Sequence, residues 1–371
     1  VSALLELSDA EIAVRIDELR REQLRRAGRT QACHSCGSSF AARRGAHYCS
    51  GACRVQAFRA RANGQATRPD GNTQVATGAV LEPLTIKAEG RSAAASPLRY
   101  PGGKAALAGF FADIITRLGI RSPTYVEPYA GGAGAGIVLL QRDLVKKLVI
   151  NDVDPAVYCF WKSVTEQPSE FADKVVDASL TVEEWRRQQA IYRQADESDP
   201  LALGFAFFYL NRTNRSGILN AGPIGGVRQT GNYKIDARYN RDQLAKRITR
   251  IGAMSDRITV SSVDGMAVIR QHLRRKTSFI YIDPPYVDMG GSLYLNAFTH
   301  RDHADLGRLL DDGRDGNWVL TYDPSDFIRR IYRSHDVRDY QLSYSAHRAG
   351  KAQELLIPSH TVANVLASKR D

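Results

Sequence analysis

The chain is poor in the features that mark secreted, membrane or disulfide-built proteins. Its longest apolar runs, such as Leu203 to Leu210, fall far short of the ~20 residues that span a bilayer. No N-terminal stretch has the basic, then apolar, then small-residue layout of a signal peptide, so a cytoplasmic location without a membrane partner is expected. Cysteine is scarce, five in 371 residues, and four of the five crowd between Cys33 and Cys53. That clustering argues against a disulfide framework and for a metal site in a reducing compartment. Acidic charge is also short: 51 Lys and Arg face 40 Asp and Glu, a net charge of +11. Such an excess points to a polyanionic partner, nucleic acid first.

What is present organises itself into segments. A hydrophobic content of 43% is enough to bury a real core. Residues 1–30 carry an amphipathic helix, Ser8 to Ala27, opened by a Ser8-x-x-Glu11 capping box and ended by Gly28. A cysteine module occupies 31–63. Residues 64–96, rich in Gly, Ala, Thr and Pro without periodicity, read as a flexible linker. From 97 to 359 strand and helix signals alternate, with β-rich runs at Thr124–Glu127, Lys147–Asn151, Ile258–Ser261, Phe279–Ile282, Trp318–Tyr322 and Leu355–Ile357. The pattern predicts a three-layer α/β domain on a mostly parallel sheet. A basic, partly helical stretch at about 160–251 interrupts it and reads as an insertion, and 360–371 reads as a tail.

The first strand of that domain runs into Pro128-Tyr129-Ala130-Gly131-Gly132-Ala133-Gly134-Ala135-Gly136 and then an apolar helical run. A glycine-rich turn after a strand lets a ligand approach the backbone closely. The G-x-G-x-x-G dinucleotide fingerprint is absent, which disfavours a nicotinamide cofactor. Asp152, 21 residues after Gly131 and just past the next strand, is placed to accept hydrogen bonds from ribose hydroxyls.

The most specific segment is Asp283-Pro284-Pro285-Tyr286, directly after the apolar strand Ser278–Ile282. Ligands of open α/β sheets bind beyond the carboxyl ends of strands, where this tetrapeptide lies. Its composition suits an exocyclic amine, a poor nucleophile because its lone pair is delocalised into the ring. Asp283 and the Pro284 carbonyl would each accept one N–H and free that lone pair. Pro284 and Pro285 stiffen the turn, and Tyr286 offers a face on which an extruded base stacks.

With these segments in hand, residues 97–359 resemble the Dam-type (class alpha) adenine-N6 DNA methyltransferases. The likeness rests on Pro97-Leu98-Arg99-Tyr100-Pro101-Gly102-Gly103-Lys104, Glu127 to Gly132, Asn151-Asp152, Phe208 to Thr213, and Asp283 to Tyr286, in that order. It implies a Rossmann-like S-adenosylmethionine-dependent sheet with a target-recognition insert. It also implies methyl transfer from S-adenosylmethionine to adenine N6 in duplex DNA by base flipping. Tyr100, Gly103, Lys104, Glu127, Pro128, Tyr129, Gly131, Gly132, Asp152, Asp264 and Asp283 are then the cofactor-side residues, and Asp283, Pro284, Pro285 and Tyr286 the catalytic ones. Tyr129 stands where the family usually has Phe, and the insert lacks the fuller pattern of GATC-modifying members.

From Phe205 to Arg250 nine Lys and Arg face two Asp. Asn211, Arg212, Arg215, Arg228, Lys234, Arg238 and Arg241 are the candidate DNA contacts, to bases or to phosphates. In the N-terminal module, Cys33-x2-Cys36-x12-Cys49-x3-Cys53 has the pairing of a closed tetrahedral zinc site. It resembles treble-clef or zinc-ribbon fingers. Eight Arg and no acid lie between Arg25 and Arg61, which favours auxiliary nucleic-acid grip, with protein docking as the rival. A cognate restriction endonuclease is a candidate partner and the nucleoid the expected place. The rival functions are methylation of RNA or of another planar amine, and a non-catalytic DNA-binding regulator.

Overall fold

Six apolar runs become strands where the sequence puts them, and further strands come from segments that carry no such signal. The structure, a computed structural model, describes residues 30–32, 39–41, 84–87, 95–99, 104–286, 298–343 and 354–368. The helix expected at Ser8 to Ala27, the cysteines Cys33, Cys36, Cys49 and Cys53, and Tyr100 and Gly103 lie outside the described residues. The chain divides into two units, 1–78 and 79–371. In the first, β1 (Thr30–Ala32) pairs antiparallel with β2 (Ser39–Ala41).

The second unit is built on an eight-stranded sheet of β3 (Leu84–Lys87), β4 (Thr124–Glu127), β5 (Lys147–Asn151), β6 (Ile258–Ser261), β7 (Ser278–Ile282), β8 (Trp318–Tyr322), β9 (Arg338–Ser343) and β10 (Glu354–Pro358). Their spatial order is β3-β9-β10-β8-β7-β4-β5-β6. The five strands from β8 to β6 are parallel, and β10 is inserted antiparallel between β8 and β9. Every residue of β7 and β8 is buried, as expected of central parallel strands covered on both faces. The chain leaves β4 towards β5 and β6, then returns to lay β7 and β8 on the other side. The reversal opens a crevice beyond the carboxyl ends of β4 and β7, the usual ligand position in such sheets.

Helix α1 (Ala108–Arg117) covers this junction, with Phe111 fully buried against the rings of Tyr125, Phe279 and Tyr281. Helix α2 (Gly134–Gln141) follows the glycine loop. Between β5 and β6 comes the insertion: α3 (Pro155–Glu166), α4 (Pro168–Asp177), α5 (Val182–Gln194), α6 (Pro200–Thr213) and α7 (Arg241–Gly252). Proline opens three of these helices, and Asp154 and Asp199 cap two of them through Ala156 N and Ala202 N. Phe160, Trp161, Phe171, Phe205, Phe208 and Tyr209 form their shared ring core. After β6 come α8 (Gly265–His272), α9 (His300–Asp312) and α10 (Asp326–Ile331).

Two segment assignments change. Leu84–Lys87, inside the expected linker, is the parallel edge strand β3 on β9. The expected tail contains α11 (His360–Ala367), whose Val362 is buried and whose end receives Arg117, through a 2.8 Å bond from Nη2 to the Ser368 carbonyl.

Candidate active site

At the end of β4 the backbone turns through two left-handed residues, Gly131 (φ +45°) and Ala133 (φ +44°). An alanine there costs conformational energy that the surroundings must offset, and the loop is fixed on every side. Gly131 N–H donates to Asp152 Oδ2 at 2.8 Å, and the Gly131 carbonyl accepts from Trp161 Nε1 at 2.8 Å. Ser96 Oγ donates to the Gly132 carbonyl at 2.6 Å, and Asn151 Nδ2 to the Pro128 carbonyl at 2.9 Å. Trp161 and Ser96 carried no signal in the sequence.

Glu127, expected at the cofactor, is instead buried beneath the loop and accepts the Gly136 N–H at 2.9 Å. Burial, opposed by that N–H and reinforced by Asp283, pushes its carboxyl up to about 8, so it is mainly neutral at pH 7. Pro128 is buried with it. These two residues brace the loop rather than line it. Asp152 is pushed up to about 6 by burial, against the pull of the Asp154 and Gly131 N–H groups. Each of its oxygens accepts one backbone N–H and keeps a lone pair for a second donor. Asp264 caps α8 through Ala267 N and is exposed. A glycine turn at the switch point and a half-committed carboxylate at the end of β5 have the chemistry to suit a nucleoside cofactor.

Across the crevice, the end of β7 presents Asp283. Its Oδ1 accepts from Thr321 Oγ1 at 2.8 Å and from Tyr286 Oη at 3.1 Å. Both bonds end on the same oxygen and leave Oδ2 for another donor. Lys104 Nζ stands 3.6 Å from Oδ1, donates to Tyr286 Oη at 2.9 Å, and makes a short ion pair with Glu354 Oε2. It also lies 5.6 Å from the centre of the Tyr286 ring. Tyr340 Oη donates to the same Glu354 oxygen. Burial would lower the Lys104 ammonium, but Asp283 and Glu354 outweigh it and hold it above the usual lysine range. Burial raises Asp283, with Lys104 opposing and Glu354 adding to the rise. Thr321, Tyr340 and Glu354 come from β8, β9 and β10, and sequence reading missed all three. Lys104, expected over the cofactor, joins Asp283 and Tyr286.

The insert holds a second site. Arg99, Arg212, Arg238 and Arg247 line a depression of about 380 Å³, together with Ala237, Asn240, Gln243 and Leu244; no acid is among its lining residues. Arg99 Nη1 and Arg212 Nε are buried with no hydrogen-bond partner. Arg212 is pushed down to about 9, by burial first and then by Arg247, Arg99 and Arg238. Such a cluster of cations is poised for an anion.

Of the other expected DNA contacts, Arg215, Arg228 and Lys234 are exposed. Asn211 is not a surface reader. Its side chain is buried and clamps the Arg99 backbone, accepting from Arg99 N at 2.7 Å and donating to Arg99 O at 2.8 Å and Gly217 O at 3.2 Å. Gly217 is left-handed (φ +75°), and a Cβ there would stand 2.9 Å from the Arg99 carbonyl, so only glycine fits. Arg241 is committed to the α4 backbone through Val176 O. Among the described residues no group of three or more His, Cys, Asp or Glu is arranged to hold a metal, and no helix is long and apolar enough to cross a membrane.

Residues 100–348 match the D12 class N6 adenine-specific DNA methyltransferase family. Over 236 residues the chain is 21% identical to the Type II methyltransferase M.MjaIII of Methanocaldococcus jannaschii, covering 58% of this chain and 78% of that protein. Among solved structures, the rRNA methyltransferase aviRa of Streptomyces viridochromogenes corresponds at 14% identity over 72% of this chain and 88% of that one. Its TM-score of 0.29 is too low to bear on the chemistry.

Proposed function

The chain belongs to the D12 class of N6 adenine-specific DNA methyltransferases, and on that premise we propose how its residues divide the work. The activity is transfer of a methyl group to adenine N6 in DNA. S-adenosylmethionine supplies the electrophilic methyl when bound, and Gly131, Gly132 and Asp152 would hold it. The target adenine, rotated out of duplex DNA, stacks on Tyr286. Asp283 accepts one N6 hydrogen on Oδ2, and the Pro284 carbonyl accepts the other. As the N6–methyl bond forms, the methyl–sulfur bond of the donor breaks and its electron pair leaves with the sulfur of S-adenosylhomocysteine. Positive charge gathers on N6, and its proton passes to the Asp283 carboxylate. Proximity and a preset acceptor pair are the main contributions of the protein.

One observation carries the assignment: Asp283 sits at the switch point with Oδ1 engaged by Thr321 and Tyr286, which leaves Oδ2 as the remaining acceptor. The test is tritiated methyl transfer to unmethylated plasmid DNA, followed by nucleoside analysis. Wild type is expected to yield N6-methyladenine, and Asp283→Ala to stay at background while keeping its melting temperature. Wild-type labelling by Asp283→Ala would remove the assignment.

The arginine depression is read as the seat of a DNA phosphate, with exposed Arg215, Arg228 and Lys234 on neighbouring backbone or bases. Cys33, Cys36, Cys49 and Cys53 are assigned a structural zinc on ligand spacing alone. Metal analysis of the purified protein should give one zinc per chain. Similarity to a Type II methyltransferase makes a cognate restriction endonuclease the partner to seek beside the gene.

A further inference from the structure

Glu354 lies outside the residues that match the family, 100–348, and outside every motif legible in the sequence. It opens β10, the strand that runs against its neighbours. Yet its carboxylate reaches the catalytic cluster, where it takes the Lys104 ammonium and the Tyr340 hydroxyl on one oxygen. The three charged side chains are largely enclosed: Lys104 is 12% exposed, Glu354 18% and Asp283 23%.

The charge count matters here. Two carboxylates share one ammonium. An ammonium paired directly with Asp283 would neutralise the carboxylate that must accept the N6 hydrogen. Lys104 pairs with it only at the longer range: it stands 3.6 Å from Asp283 Oδ1, an ion pair beyond ordinary hydrogen-bond reach, while contacting Glu354 closely. Tyr340 holds the Glu354 oxygen in place, so the lysine is drawn towards β10.

We propose that Glu354 is a positioning residue for methyl transfer: it holds the Lys104 ammonium off Asp283, so that Asp283 stays a strong acceptor for the N6 hydrogen. The inference rests on the role given to Asp283 above. The groups facing Asp283 are Lys104 from the turn before α1, Tyr125 and Glu127 of β4, Tyr281 of β7, and Tyr286. Thr321 and Tyr322 of β8 and Glu354 of β10 complete the set, with Tyr340 of β9 behind Glu354. Lys104 is the one cation among these residues. The negative charge of Glu354 acts on Asp283 in the direction that raises its basicity. Replacing Glu354 therefore removes that push and frees Lys104 to close on Asp283. Both changes lower the proton affinity of Asp283.

The experiment compares Glu354→Gln, Glu354→Asp, Tyr340→Phe and Asp283→Ala with wild type, measuring kcat, KM for DNA, S-adenosylmethionine affinity by calorimetry, and the pH profile of kcat. Glu354→Gln is expected to lower kcat by about 100-fold, the scale of a misplaced reacting group. Its acid limb should move to lower pH, with KM and cofactor affinity near wild type. Glu354→Asp should recover part of the rate. Tyr340→Phe, which loses one hydroxyl only, should lower kcat by about 5-fold with the same direction of shift. If Glu354→Gln does not fold, Tyr340→Phe decides. A wild-type kcat in the variant that decides, or a loss of rate with an unmoved acid limb, overturns the inference. An active Asp283→Ala overturns the reading beneath it; an inactive Asp283→Ala beside an unaffected Glu354→Gln overturns the inference alone.

Discussion

The catalytic crevice and the arginine depression are both strongly charged and partly buried, yet they handle charge in opposite ways. In the crevice each charge meets its complement within the fold: Lys104 lies between Asp283 and Glu354, and Thr321, Tyr286 and Tyr340 donate to the carboxylates. In the depression four arginines face one another without an acid, and two of their N–H groups are buried without an acceptor. Buried donors are seldom left unmatched in native proteins. On the reading proposed above, the contrast would separate a site complete before substrate arrives from one completed by the substrate. Preorganisation serves the reaction centre, where geometry sets the rate. Unsatisfied charge would serve the proposed grip, where an incoming phosphate would supply the missing negative charge.

Replacing Asp283 by its isostere Asn keeps the shape of the self-contained site and removes its charge; kcat in a single-turnover methylation assay should fall by about 1,000-fold, and a loss below tenfold would refute the charge argument. Arg212→Met should weaken DNA binding by roughly tenfold and reduce the salt dependence of affinity by about one phosphate contact. Because it relieves repulsion from Arg99, Arg238 and Arg247, it should leave the melting temperature unchanged or higher. A sharply destabilised Arg212→Met that binds DNA normally would reverse the roles of the two sites.

Smaller effects sharpen the same contrast. Trp161→Phe removes the donor to the Gly131 carbonyl and should cost about 1 kcal/mol of stability, seen by chemical denaturation together with weaker S-adenosylmethionine binding by calorimetry. Glu127 gives the mildest test. Its folded carboxyl, at about 8 against an ordinary 4.5, holds its proton longer than the unfolded one. Its contribution to stability should therefore decline as pH rises from about 4.5 to 8 and level off above that. Glu127→Gln should remove that part of the slope in denaturation curves taken across the window, and an unchanged slope would show that Glu127 is ionised throughout.

Much of this architecture was readable because local pattern and final position coincide. The strands β4 to β8 are short apolar runs with turn signals around them, and Asp283 to Tyr286 announces itself by its place after one of them. What escaped depends on contacts between distant segments. Thr321, Tyr340 and Glu354 sit in three different strands, and nothing near them in sequence marks them as partners of Lys104. Strand β9, Arg-Asp-Tyr-Gln-Leu-Ser, is not an apolar run: only Tyr340 and Leu342 alternate with its polar residues, and pairing on both sides completes it as a strand. Asn211 illustrates the limit on composition. Asparagine beside arginine in a basic insert suggests base recognition, but a side chain that can bind an adenine edge can equally close on a peptide group, and Asn211 does so with Arg99. The helix α11 had its signal, since Ser359 caps it through Val362 N at 3.1 Å, but an eight-residue element at a chain end is easily read as a tail.

The place of β10 in the sheet has a consequence in time. Lys104 and Glu354 are separated by 250 positions along the chain, and β10 can be seated only once both of its antiparallel neighbours, β8 and β9, exist to receive it. Contacts between such remote segments form late, because the chain must first lose the entropy of closing a long loop. A growing polypeptide would therefore build the glycine cradle, and then the insert with its arginines, while the reaction centre still lacked its last carboxylate. If the arginines hold DNA as proposed, that ability would precede the ability to modify it.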